Sequence, residues 1–284
     1  MAMNHVEVFN APLVNSVFHL SDFSQESEKA FAHTLAIALI RKTRLTILHV
    51  WGDQDTWTNF PAVRSTLERW GLLKEGSPEA AVFKELGVRT RQVNSVGRDA
   101  LSAALEYLEQ HATDLIVIAT PDREALPSWL RSSDAEQIAF KSKTMTLFVP
   151  HKTRGFVSPK DGTMSLQRIL VPVDSSPSPL PAIEYSARAA RAFQQPTEII
   201  LVHVDQGGKA PNLILPEIPL CSWEQVSRSG NVVDEIVKLA KERSVDLIMM
   251  STAGREGFLD ALRGSVTQRV LRLSECPLLA VPAV

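Results

Sequence analysis

Short apolar runs alternate along this chain with segments whose apolar positions recur every three or four residues. In the C-terminal part RILVPV (Arg168–Val173), EIILVHV (Glu198–Val204), DLIMMS (Asp246–Ser251) and PLLAVP (Pro277–Pro282) read as strands, with the alternating WEQVS (Trp223–Ser227) as a weaker one. Between them, three helical faces are predicted: Leu180, Ile183, Ala187 and Ala190; then Val232, Val233, Ile236, Leu239 and Ala240; then Val266, Val270 and Leu273. Strands that are apolar throughout belong to a sheet covered on both faces, hence to parallel strands joined by helical crossovers. The expected architecture is a five-stranded parallel α/β domain of flavodoxin- or Rossmann-like type, strand order 3-2-1-4-5, with helices on both faces.

The same pattern occurs earlier in the chain. TDLIVIAT (Thr113–Thr120) matches VDLIMMST (Val245–Thr252), and at the same spacing TLFVP (Thr146–Pro150) falls on LLAVP (Leu278–Pro282) and SSDAEQIA (Ser132–Ala139) on GSVTQRVL (Gly264–Leu271). SVFHLSDFS (Ser16–Ser24) pairs with RILVPVDSS (Arg168–Ser176), and LTILHV (Leu45–Val50) with EIILVHV. A repeat of this size is a domain, so the chain reads as two tandem domains, 1–150 and 168–284, joined by a polar linker at 151–167. In the first copy Phe31, Leu35 and Leu39 mark one helix and Leu101, Leu105 and Leu108 another. An insertion from Trp51 to Leu86, partly helical, distinguishes it from the second copy.

Bulk properties narrow the classes. The 284 residues carry a formal charge of -2, which excludes a basic field for nucleic acid or acidic lipid. Two cysteines without C-x-x-C fit neither a disulfide framework nor a zinc site, and suit a reducing cytoplasm. The start MAMNHVEVFN lacks the basic-then-apolar pattern of a signal peptide, and AFAHTLAIALI is too short to span a bilayer. A soluble cytoplasmic protein, with no membrane or nucleic-acid partner, is the expectation.

Candidate chemistry concentrates in STAGREGFLDALRGSV (Ser251–Val266), which follows the fourth strand of the second copy. In an open parallel sheet, ligands bind beyond the carboxyl ends of the strands where strand order reverses, here between VDSS (Val173–Ser176) and this glycine-rich stretch. Gly254 has no Cβ to block convergence of backbone N–H groups on an anion. Gly264 and Ser265 open the next helix, whose unpaired N–H groups and dipole favour a phosphate. Arg255 and Arg263 add positive charge nearby in sequence.

Together with ILVPVDSS, ILVHV, Gly230 and the closing CPLLAVP, this stretch resembles the universal stress protein family, in two copies covering nearly the whole chain. ATP-binding members of that family carry G-x2-G-x9-G-[S/T] after the fourth strand. Gly254 and Gly264-Ser265 match its second and third elements, Ser251 replaces the first glycine, and Ala253 stands where a histidine is frequent. The resemblance implies ATP or a related adenine nucleotide, with Mg²⁺, in the second domain. The implied contacts are Pro172, Val173, Asp174 on the adenosine part, Val204 at the base, and Ser251, Gly254, Arg255, Gly264, Ser265 and Val266 around the phosphates. The first copy has Ala119, Asp122, Ser132 and Ser133 at the positions of Ser251, Gly254, Gly264 and Ser265, so an acid stands where phosphate would lie. It reads as a degenerate domain that keeps Asp22.

Simpler roles stand beside these. Asp174 and Ser265 both suit helix N-caps. Gly97 and Gly230 serve turns, His49 and His203 are core histidines, Cys276 is a small buried residue, and Trp51, Trp57 and Trp70 are packing residues. The S-G-G-x-D-S loop of the related adenylating α-hydrolase-like enzymes is missing, as is any G-x-x-x-x-G-K-[ST]. The expected function is a stress-response regulatory protein without efficient catalysis. The alternatives are a scaffold of the same fold acting through an unknown protein partner, and an adenylating enzyme. Single-domain relatives pair through their last strand, which implies an internal pseudo-dimer with TMTLFVP and CPLLAVP at its interface. A further homodimer is also expected, with NLILPEIPL (Asn212–Leu220) as a candidate surface or a lid over the crevice.

Overall fold

A computed structural model of the chain describes residues 14–21, 27–51, 63–96, 99–120, 132–151, 153–207, 210–252 and 265–283. The N-terminal half comprises β1 (Ser16–Ser21), α1 (Glu28–Arg41), β2 (Arg44–Trp51), α2 (Val63–Arg69), α3 (Ala80–Leu86), β3 (Arg89–Val96), α4 (Ala100–Gln110), β4 (Leu115–Thr120), α5 (Ser132–Ser142) and β5 (Met145–Pro150). The C-terminal half comprises β6 (Arg168–Pro172), α6 (Leu180–Phe193), β7 (Thr197–Asp205), β8 (Cys221–Ser229), α7 (Val232–Glu242), β9 (Leu247–Thr252), α8 (Val266–Leu273) and β10 (Leu278–Pro282).

Each half has the order 3-2-1-4-5, and the two merge into one ten-stranded sheet, β3-β2-β1-β4-β5-β10-β9-β6-β7-β8. Every pairing is parallel except the central one, where β5 and β10 run antiparallel with Leu278 opposite Phe148 and Ala280 opposite Thr146. The last strands of the two copies therefore meet at the centre of a single sheet. Alternate strand residues feed two cores: Ile199 and Leu201 pack on the α1/α6 side, Ile200 and Val202 on the α4/α5/α7/α8 side. This two-sided burial is why the strands read as uninterrupted apolar runs.

The helical faces are narrower than their periodicity suggests. Leu180 is exposed at the first position of α6, and Val266 and Leu273 are exposed at the two ends of α8, where Thr267, Gln268, Val270 and Leu271 are buried. End residues overhang the sheet, so only the middle turn reaches it. On α4 the buried residues are Ala100, Ala103 and Ala104 rather than the three leucines.

The polar segment after β5 is packed rather than slack. Phe156, Val157 and Leu166 are buried, and Val157 bridges Met164. The Phe156 ring stands 4.4 Å from that of His33 on α1 and 5.7 Å from that of Phe193 on α6, joining the two halves. His33 Nδ1–H donates to the Lys29 carbonyl at 2.7 Å, and its Nε2 accepts from the Phe156 N–H at 3.1 Å. Lys29 Nζ donates to the carbonyls of His151 and Thr153 at 2.8 and 2.6 Å. Trp70, from the insertion, is buried and donates to the Pro159 carbonyl at 3.0 Å, a packing role as expected.

Candidate functional site

The carboxyl ends of β6, β7 and β9 gather most of the described candidate residues. β6 pairs with β9 at two positions, Ile169↔Leu247 and Leu170↔Ile248, and the ladder ends there, just before Pro172, which has no N–H to donate. In the N-terminal half β1 stays with β4 through Leu20↔Ile118, four positions in all. β6 and β9 meet at the point of order reversal, beyond whose strand ends α/β folds place ligands. Pro172 ends β6 and the buried Val173 follows it, with the buried Val204 near the end of the neighbouring β7.

Asp174 follows, exposed. Its Oδ1 accepts from the Ser175 N–H at 2.6 Å and the Ser175 hydroxyl at 3.3 Å. A carboxylate accepts at both oxygens, so capacity for a ligand remains. Asp174 is not the cap of α6: that helix starts from Pro179 without a side-chain cap, and its first turn is served from β9, where Ser251 Oγ accepts from the Ala182 N–H at 3.2 Å. Ser251 thus ties the end of β9 to α6. Ser265 does act as an N-cap, with extended φ and ψ and its hydroxyl accepting from the Gln268 N–H at 3.2 Å, and Val266 is the first residue of α8. Gly254, Arg255 and Gly264 lie outside the described residues, as do Asp22, Gly97 and Asp122. Gly230 holds φ +135°, a conformation glycine alone adopts freely, and Asn231 caps α7 through the N–H groups of Val233 and Asp234, so Gly230 serves the turn.

His49 and His203 are buried at matched positions. Their Nδ1 atoms lie 3.0 Å from the Ser21 carbonyl and 3.2 Å from the Val173 carbonyl. Burial pushes the thiols of Cys221 and Cys276 up to about 11, which leaves them thiols and poor nucleophiles at neutral pH. Among the described residues no group of three or more His, Cys, Asp or Glu side chains gathers to hold a metal, and no helix is long and apolar enough to cross a membrane. NLILPEIPL turns Leu213 and Leu215 onto its own core and leaves Ile214 exposed, with Trp223 Nε1 donating to the Pro216 carbonyl at 2.8 Å.

Two constellations escaped the sequence reading. Asp114 and Asp246, which sit immediately before β4 and β9, bind the backbone at the start of β1 and β6. Glu136 on α5, buried, receives the Arg272 guanidinium at 3.1 and 3.2 Å and the Gln268 side-chain amide from α8. Both lie in the aligned repeats, at positions where a signal was visible but no partner was.

Comparison with known proteins agrees with this architecture. The universal stress protein family pattern matches residues 20–150 and 215–282, and the chain belongs to that family. It is 28% identical over 151 residues to a universal stress protein of Methanocaldococcus jannaschii, covering 43% of this chain and 85% of that protein. A second, from Methanothermobacter thermautotrophicus, is 41% identical over 69 residues, 24% of this chain and 47% of the relative. Among solved structures, a universal stress protein from Archaeoglobus fulgidus superimposes with a TM-score of 0.62 at 17% identity, over 94% of this chain and 98% of that one. A protein of unknown function from Pseudomonas aeruginosa PAO1 gives 0.62 at 14% identity over 97% and 94%. These two likenesses concern the fold alone.

Proposed function

We propose that the C-terminal half binds an adenine nucleotide, ATP or a relative with Mg²⁺, at the carboxyl ends of β6 and β9, and that the protein regulates through its occupancy rather than through catalysis. The observation that supports this reading is that registered β6–β9 pairing ends at Leu170↔Ile248, short of the four-position β1–β4 pairing of the first half. In this reading the exposed Asp174, the buried Val173 and Val204, and the start of α8 would line the site. Gly254, Arg255 and Gly264 would supply bare backbone and positive charge to the phosphates. Family membership and the G-x9-G-S spacing support the same assignment.

The test is calorimetry and thermal denaturation with ATP–Mg²⁺. A ligand at one hundred times its Kd stabilises by about 2.7 kcal/mol, a readily measured shift. No heat and no shift would remove the nucleotide reading.

One observation favours a second reading, a scaffold that works through protein partners in the cytoplasm, as a monomer or a homodimer. The Ser251 hydroxyl occupies an N–H at the first turn of α6, so a side chain rather than open backbone stands at that point. The same titration discriminates the two.

A further inference from the structure

The carbonyl of Val173 is the last backbone group before the turn that carries Asp174, and a side chain holds it. Pairing of β6 with β7 ends at Pro172↔Val202, and the Val173 N–H closes on the Val202 carbonyl at 2.8 Å. At the far side of the same residue, His203 Nδ1 stands 3.2 Å from the Val173 oxygen. A carbonyl only accepts, so Nδ1 carries the proton and donates it. His203 is buried, and no donor among the described residues reaches its Nε2.

A buried acceptor without a donor costs about 1–3 kcal/mol. Ile199 and Leu201, on the same side of β7 as His203, are buried aliphatics that carry no such cost. A third aliphatic would fill the space and leave the Val173 carbonyl unheld, so the imidazole is explained by what it grips. The exposed Asp174 depends on that grip. Its described hydrogen bonds stay within its own turn, to Ser175, so the direction of its carboxylate follows the backbone that precedes it.

We propose that His203 is a positioning residue for the nucleotide site: through Nδ1–H it fixes the Val173–Asp174 peptide and thereby aims Asp174 at the ligand. This rests on the nucleotide reading of the site. The N-terminal half contains an internal control, because His49 makes the same bond to the Ser21 carbonyl at 3.0 Å, one residue before Asp22, in a half that carries Asp122 at the position of Gly254.

Three full-length variants test it: His203→Leu, which removes the donor; His203→Asn, whose amide N–H reaches the same region; and His49→Leu. ATP–Mg²⁺ affinity is read by calorimetry, and amide hydrogen exchange at Val173–Ser175 is read without nucleotide. The expected result is a loss of affinity of about tenfold in H203L, the scale of one modest hydrogen bond, with faster exchange at Val173–Ser175. H203N should stay within about twofold of wild type, and H49L should leave the affinity unchanged. Wild-type affinity in H203L, no recovery in H203N, or an equal loss in H49L overturns the proposal. If H203L does not fold, H203N decides alone, and a loss beyond about tenfold overturns it. A wild type that binds no ATP refutes the nucleotide reading by itself and the aiming role with it; exchange at Val173–Ser175 then decides whether His203 holds the turn, and unchanged exchange in H203L removes that too.

Discussion

Asp114 and Asp246, 132 residues apart, perform one task twice: each carboxylate binds two consecutive backbone N–H groups at the start of its half's first strand. Asp114 Oδ2 accepts from the N–H groups of Asn15 and Ser16 at 2.8 and 2.9 Å. Asp246 Oδ2 accepts from those of Gln167 and Arg168 at the same two distances, and its Oδ1 accepts from Arg154 at 2.7 Å. The clamp aligns β1 beside β4 and β6 beside β9. Replacing either aspartate with alanine leaves two N–H groups without their acceptor, so a loss of about 2–3 kcal/mol is expected in urea unfolding for Asp246→Ala, whose carboxylate is buried. A smaller loss is expected for the more exposed Asp114 site.

The His33 grip on the segment after β5 makes stability depend on acid. Burial holds the His33 imidazole down, from 6.5 to about 4. Between these values the unfolded chain binds the proton and the folded chain does not, so stability falls as pH falls through that window. It is fully present above 6.5 and no longer changes below about 4. The shift corresponds to about 3 kcal/mol. Unfolding midpoints for wild type and His33→Gln, compared across the window, should converge towards acid; parallel curves would contradict the assignment.

Gly155 meets the same histidine. It holds φ +67°, and a Cβ there would collide with His33 Cε1. Gly155→Ala therefore combines left-handed strain with displacement of the ring, and a loss of about 2 kcal/mol or more is expected, several degrees in Tm.

The α5–α8 contact is expected to behave as a coupled pair. Arg272→Met leaves the Glu136 carboxylate, 9% exposed at its side chain, without its cation, and about 2 kcal/mol of stability should go with it. In Glu136→Gln combined with Arg272→Met most of that loss should return, because no buried charge is left over. Additive losses in the double variant would show the two side chains to be independent.

At the proposed nucleotide site, Gly254→Asp copies the residue of the N-terminal half. ATP binding should vanish while the nucleotide-free protein unfolds at an unchanged temperature. Wild-type affinity in this variant would remove Gly254 from the site.

Much of the architecture was legible. Runs such as LIVIA and IILV, apolar at every position, call for burial on both faces and hence for parallel strands, and the alternation of five strands with helices favours the order found in each half. The partners of Glu136 were not legible, because Gln268 and Arg272 lie in the other copy and only the β5–β10 pairing brings the two helices together. The exposed Leu180 and Leu273 misled for a related reason: periodicity reports which side of a helix is apolar, not how far along it the sheet extends.

By itself the chain's alternation of apolar runs and helical stripes determined two parallel α/β units, because local patterning says which faces must leave water. Only the tertiary structure decided that the last strands pair antiparallel within one ten-stranded sheet, that Ser251 serves α6 while Asp174 bonds to Ser175 in its own turn, and that His203 grips the Val173 carbonyl. Those contacts join residues far apart in sequence, and their geometry exists only once strand order has brought the strand ends side by side.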